Sequence, residues 1–290
     1  DADLYSSFAS NDDAVAYLAS LFAFSSELYE REVNTQLQIG FVQFRTQDIS
    51  SSLGSIGSYW NTNYPELERA LVAHLTLGYS GGIASLGPDV LCGRYNGYSI
   101  SGVDGIAPTL GAPISWDATV FSHEVGHNFN SPHTHGAGGL LGNASDVDQC
   151  TSGSLPGVNS LTGGSPGDYN GTVMSYCHLQ SGYMSNIATS FGKNHPYGVA
   201  ADRIPQNMLS TVTNQAAIAP SCIATYIKQR EWSRVVDTYG VNGDGTFDVA
   251  LEDVAPQQTY TCRATVTNAS GDSLPSNTVV VQTSAAYTVT

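Results

Sequence analysis

The chain has 290 residues, 41% of them hydrophobic and 12% charged, which supplies one sizeable core plus a smaller module and is too apolar for a disordered chain. Asp and Glu number 25 against 10 Lys and Arg, a formal net charge of −15, so the long-range field repels phosphate backbones and argues against nucleic acid as a partner. The apolar runs, such as 14–24, are broken by serine and fall short of the roughly 20 residues of a membrane span. Such acidity serves solubility first; acidic surfaces also hold Ca2+, which stays open as a second ion.

The opening DADLYSSFASNDD reads as an end left by processing or trimming. From Asp12, Val15, Leu18, Leu21, Phe22, Leu28 and Tyr29 recur mostly three or four apart behind acidic residues, which predicts a long amphipathic helix. QLQIGFVQFRT follows, with Leu37, Ile39 and Phe41 alternating against polar neighbours, and predicts a strand with one buried face. PELERALVAHLTLG predicts a second helix opening at Pro65 and stopping at Gly78. GGIASLG and GYSISGV then read as two short strands, a third helix runs from about Asp117 to Phe129, and 131–183 is loop rich in glycine, serine and asparagine. So long a loop within a compact domain needs a metal or a crosslink to hold it. A helix around 200–215, with Pro205 in its first turns, ends this α/β (α+β) layer near Cys222.

Beyond Cys222 the texture turns to β. TFDVALEDV, TYTCRATVTN and SNTVVVQTS alternate with period two around turns at Pro256 and Gly271-Asp272, so the expected domains are 1–222 and a small all-β module at 223–290. GVNGDGTFD at 240–248 hints at a calcium loop, but Gly240 stands at the first liganding place and no glutamate at the twelfth; a hairpin turn is the better reading. Asn143, Asn170 and Asn268 open N-x-S/T triplets. Five cysteines include no C-x-x-C pair, which removes a thiolate metal site. Sparse charge and only two lysines, Lys193 and Lys228, fit a secreted protein in which disulfides persist.

FSHEVGHNFNSPHTH, residues 121–135, gathers four of the seven histidines. On a helix, His123 and His127 project from one face, with Glu124 about 100° round. Two imidazoles and an adjacent carboxylate that does not itself bind suit Zn2+. Three protein ligands would leave a position for water, whose pKa then falls from 15.7 towards about 7. His133 is the third candidate ligand, and it can return only if the chain reverses first. Asn130 is placed to enter the left-handed region, and Pro132 forbids resumption of the helix. His135 lies outside the spacing, and His74, His178 and His195 read as ordinary histidines.

HEVGHNFNSPH resembles the metzincin zinc endopeptidases at every fixed position of their motif except a glycine, which is Asn130 here. GTVMSYCH at 171–178 is similar to the family's Met-turn, with Met174 as an apolar floor below the metal. The resemblance covers most of 1–222 and implies a metzincin-like domain with a twisted mixed sheet and an active-site helix. It implies a zinc-activated water, with Glu124 accepting its proton and passing it to the leaving amine, and Tyr176 as a second catalytic group. GGIASLG is similar to the edge strand that pairs with an extended substrate, here Gly82, Ile83 and Ala84. The type resembled most is adamalysin or reprolysin, although Thr134 stands where adamalysins carry aspartate, and Tyr176 is placed as in astacins and serralysins. Resemblance to adamalysins implies the disulfides Cys92–Cys222 and Cys150–Cys177. The module at 223–290 resembles the last strands of a fibronectin type III domain, with Tyr260 as its corner tyrosine.

The expected function is therefore a secreted, monomeric zinc endopeptidase acting on protein or peptide substrates. The alternatives are a catalytically silent adhesion or recognition protein on a protease fold, and a zinc exopeptidase or amidase.

Overall fold

The computed structural model describes residues 1–109, 114–134, 148, 150–151, 160–161, 171–193 and 201–223, together with strand backbone within 259–282. The chain divides into two units, Asp1–Thr225 and Tyr226–Thr290.

In the first unit a short helix α1 (Ala2–Ser7) precedes the long α2 (Asn11–Val33). Ser10 caps α2 by accepting from the Asp13 N–H, Asp12 and Asp13 suit the positive end of its dipole, and Asn34 stops it in the left-handed region at φ 53°. Its inner face buries Tyr17, Leu21, Phe24, Leu28 and Tyr29, while Val15 points outward at 47% exposure. Next come α3 (Leu53–Asn63), β1 (Val72–Thr76), β2 (Gly82–Ala84), β3 (Tyr98–Gly102) and α4 (Trp116–Asn128). The strands form one mixed sheet in the order β1-β3-β2, with β1 parallel and β2 antiparallel to the central β3.

The sheet works as a partition because side chains alternate across it. Tyr98 and Ile100 of β3 join Ile56 of α3 and Val72 in a small core, and Gly57 lets α3 come so close that an added Cβ would lie 3.1 Å from the Tyr98 ring. Ser99 and Ser101, both fully buried, fall on the opposite face, where small residues let α4 approach. Behind α4 stands α2: the Tyr29 hydroxyl donates to the Ser122 carbonyl at 2.9 Å, and the Ser122 and Ser25 hydroxyls meet at 3.0 Å. Helix α4 is thus buried from Asp117 through Asn128, which explains the absence of a polar stripe in its sequence.

Two expectations fail in this region. Residues 35–45 form no ladder among the described residues. Ile39, Phe41 and Val42 stay 42–45% exposed, and Phe41 packs instead on the rings of Trp60 and Tyr64. The helix expected to open at Pro65 is replaced by β1. A short apolar run such as VAHLT suits either period, and pairing with β3 decides the matter. Helix α3, unassigned from the sequence alone, is capped by Ser52 accepting from the Ser55 N–H.

After α4 the described segments are a two-residue pair, β4 (Cys150–Thr151) with β5 (Ser160–Leu161), two 3-10 turns at Cys177–Leu179 and Tyr183–Asn186, and α5 (Arg203–Ile218). Pro205 sits in the first turn of α5, where its missing N–H costs no helical bond. A disulfide joins Cys92 to Cys222; Cys177 is disulfide-bonded too, and the side chain of its expected partner Cys150 lies outside the described set.

The described parts of the second unit are strands: β6 (Thr259–Cys262) antiparallel to β9 (Val279–Gln282), and β7 (Thr265–Thr267) antiparallel to β8 (Ser273–Pro275). The expected strand TFDVALEDV, the loop 240–248, the side chain of Tyr260, the asparagines Asn143, Asn170 and Asn268, His135 and His195 all lie outside the described residues.

Candidate metal centre

Helix α4 brings His123 and His127 onto one face, and their Nε2 atoms stand 3.1 Å apart. The helix then ends in a reversal: Asn130 takes φ 65°, its N–H donates to the His127 carbonyl at 2.8 Å, and the Ser131 N–H donates to the Gly126 carbonyl at 3.0 Å. That pair of bonds is a Schellman closure with asparagine at the position glycine usually holds. The Asn207 amide of α5 clamps the Asn130 carbonyl at 2.6 Å, and the Thr134 N–H donates to the Met174 carbonyl at 3.1 Å. Pinned on both sides, the returning chain sets His133 Nε2 3.0 Å from that of His127 and 3.1 Å from that of His123.

Hydrogen bonding on the far side of the rings determines what this triangle holds. His123 Nδ1 donates to the Val173 carbonyl at 2.7 Å, and His127 Nδ1 donates to the Ser131 carbonyl at 2.6 Å. Carbonyl oxygens only accept, so each ring keeps its hydrogen on Nδ1 and turns a bare lone pair inward. At most one of the three converging atoms can carry a proton. The triangle therefore fits a cation, and its edges approach the about 3.3 Å subtended by two tetrahedral zinc–nitrogen bonds of about 2.0 Å. Burial and the adjacent rings hold His123 well below the usual histidine range, and burial lowers His127 as well. Among the described residues this is the one cluster able to hold a metal ion; the loop once considered for calcium is not among them.

The other expected residues surround the triangle. Glu124 is buried, which pushes its carboxyl up to about 8, and its Oε2 has no hydrogen-bond partner among the described residues. Gly82, at the start of the edge strand β2, lies against Glu124 so closely that any Cβ there would overlap the carboxylate. The ring of Tyr176 sits 4.5 Å from that of His133 and 5.9 Å from that of His123, both centroid to centroid; burial, then the nearby Glu124, raises its hydroxyl above the usual tyrosine value. Met174 is fully buried beneath α4. A Cβ on Gly126 would stand 2.6 Å from its sulfur.

Several contributors were not picked out from the sequence. Gly126 is one, although a glycine inside a helix costs about 1 kcal/mol and invites a packing explanation. Asp148 is another, its carboxylate accepting from the Thr172 N–H and hydroxyl at 3.0 and 3.1 Å and so steadying the turn that presents Val173 and Met174. The third is His178, whose ring lies 5.9 Å from Tyr176 and 5.5 Å from Trp116; no spacing rule connects it to the motif. His74 stays out of the site, buried in β1 with its Nε2 3.1 Å from the Asp1 carboxylate.

A family model described as metallo-peptidase family M12, of the reprolysin type, matches residues 1–189. A search of the curated proteins returned no match. The family match stops short of the second unit, whose likeness to fibronectin type III receives no support. It does span the helix, the reversal and the methionine turn, so this protein is a zinc metalloprotease belonging to metallo-peptidase family M12.

Proposed function

We propose that the protein is a secreted endopeptidase, with its catalytic domain at about 1–222 and a β-sandwich-like module at 223–290. The observation that carries this reading is the contact of Gly82 with Glu124. It sets a sheet edge directly beside a buried carboxylate and three converging imidazoles. Strand β2 has β3 on one side and no strand on the other among the described residues, so an extended peptide can add to it through main-chain bonds. A chain lying along an edge runs past the site in both directions, which favours cuts within a chain over removal of its ends.

His123, His127 and His133 would hold zinc, which when bound supplies a Lewis acid that acidifies water and polarises the scissile carbonyl. Glu124 accepts the proton of the attacking water on its unpartnered Oε2 and delivers it to the leaving amine nitrogen. The absence of a side chain at Gly82 lets the Glu124 carboxylate pack directly against the edge strand. Tyr176, its ring against those of His123 and His133, is the residue whose hydroxyl would donate to the oxygen that gains charge. The disulfide and the scarcity of lysine support secretion, and the chain is read as a monomer.

Incubation with a peptide library, read by mass spectrometry, tests this. Internal cuts that cease when zinc is chelated are expected; stepwise loss of terminal residues, or no cleavage, would contradict the reading.

A further inference from the structure

Beside the metal centre lies a cavity of about 300 Å³ that the chemistry above does not use. It begins at Gly81, one residue before the glycine that touches Glu124, and extends past Tyr79 to Gly102, Asp104 and Trp116. Gly102 lets the backbone of residues 79–81 lie close on β3, since a Cβ there would run into the Tyr79 carbonyl. One wall is the indole of Trp116, fixed by its Nε1–H donating to the Gly102 carbonyl at 2.9 Å. Trp116 also meets His178, which meets Tyr176, so a chain of ring contacts links the cavity to the metal centre.

The cavity has a charge of one sign. Asp104 is exposed, and no lysine or arginine is among the lining residues. The backbone that presents it is held from below: buried Asp117 accepts from the Asp104 N–H at 2.8 Å, the Ile106 N–H at 2.9 Å and the Tyr17 hydroxyl at 2.8 Å. Those three donors satisfy Asp117, whereas no bond to the Asp104 carboxylate is found among the described residues. An indole and a carboxylate that pairs with no described residue, lining one cavity, are complementary to a long cationic side chain, by cation–π attraction and by charge. The net charge of −15 acts in the same direction.

We infer that this cavity is a specificity subsite, taking a lysine or arginine of the substrate from a position within three residues of the scissile bond. Residues 79–81 lie one to three positions along the chain from Gly82, a reach of about 10 Å at strand spacing, which sets that limit. The inference rests on the peptidase reading of the cleft and names its substrate class: peptides with a basic residue near the cut.

The test uses the full chain and a peptide library randomised on both sides of the cut, followed by a matched pair of peptides with lysine or norleucine at the enriched position. Wild type is expected to enrich lysine and arginine at one position within three residues of the cut and to favour the lysine peptide roughly tenfold in kcat/KM. In Asp104→Asn that ratio falls towards one, and in Asp104→Glu it is largely retained. Cleavage with no basic enrichment, or a ratio unchanged in Asp104→Asn, would overturn the inference and leave the peptidase reading standing. Absence of any cleavage by wild type would overturn both.

Discussion

Glu124 occupies a place where a carboxylate is expensive: buried, with one oxygen unpartnered among the described residues. An unsatisfied buried acceptor costs about 1–3 kcal/mol, a cost consistent with the proton-accepting role proposed for it. Glu124→Gln keeps the shape and removes the base. Its kcat is expected to fall by about 10²–10⁴-fold while zinc content stays at the wild-type level; activity within about threefold of wild type would remove Glu124 from the chemistry. Asn130 bears a different load. Its φ of 65° is left-handed, so Asn130→Gly should match or exceed wild-type stability. Asn130→Val should lose about 1–2 kcal/mol in urea denaturation, the cost of that region for a branched residue, and should also bind zinc more weakly because His133 is delivered by that turn. Equal stability of the two variants would show that the reversal is not strained.

At the level of elements, α4 is held by bonds that its own sequence does not advertise. Buried Asp117, in its first turn, ties the helix to α2 through Tyr17 and to the backbone of residues 104 and 106. Asp117→Ala strands three donors and is expected to cost about 3 kcal/mol or more, read as a lower urea midpoint with an unchanged slope; a loss below about 1 kcal/mol would mean that the donors find water. Helix α4 was legible from the spacing of chemical groups in HEVGH, whereas hydrophobic periodicity alone could not have marked a helix buried on all sides. The opposite holds for β1 and α3. VAHLT has no chemistry and too few residues for its period to decide between helix and strand. LGSIGSYWNTN has two glycines and no charge, so its helix depends on packing against the sheet through Ile56 and Gly57 and on the Ser52 cap. Asn130 was legible because a third ligand six residues after the second requires a reversal. The cavity at Asp104 and Trp116 was not, since its walls come from 79–81, 102–104 and 116 and no local pattern links them.

Across the molecule, the site is assembled from distant parts of the chain. Its three converging imidazoles come from 123–133, the buried methionine below them is Met174, the sheet edge beside them is 82–84 and its brace is Asn207, while the Cys92–Cys222 bond closes a sequence separation of 130 residues. Linking so long a loop restricts the unfolded chain, and a bound ion adds stability by mass action because it binds the folded state alone. Chelation of zinc should therefore lower Tm by about 5–10 °C, the shift expected when binding contributes about 3 kcal/mol to a domain of this size. Restored zinc should reverse the shift, and calcium alone should not. A Tm indifferent to chelation would mean that the imidazole triangle stands without a metal.

Zinc K-edge X-ray absorption on the purified protein tests most directly whether three imidazoles share one ion. Three nitrogen neighbours at about 2.0–2.1 Å with one oxygen are expected, falling to two nitrogens or to no bound zinc in His133→Ala. A sulfur neighbour, or a wild-type spectrum that His133→Ala leaves unchanged, would contradict the convergence of His123, His127 and His133 on a metal.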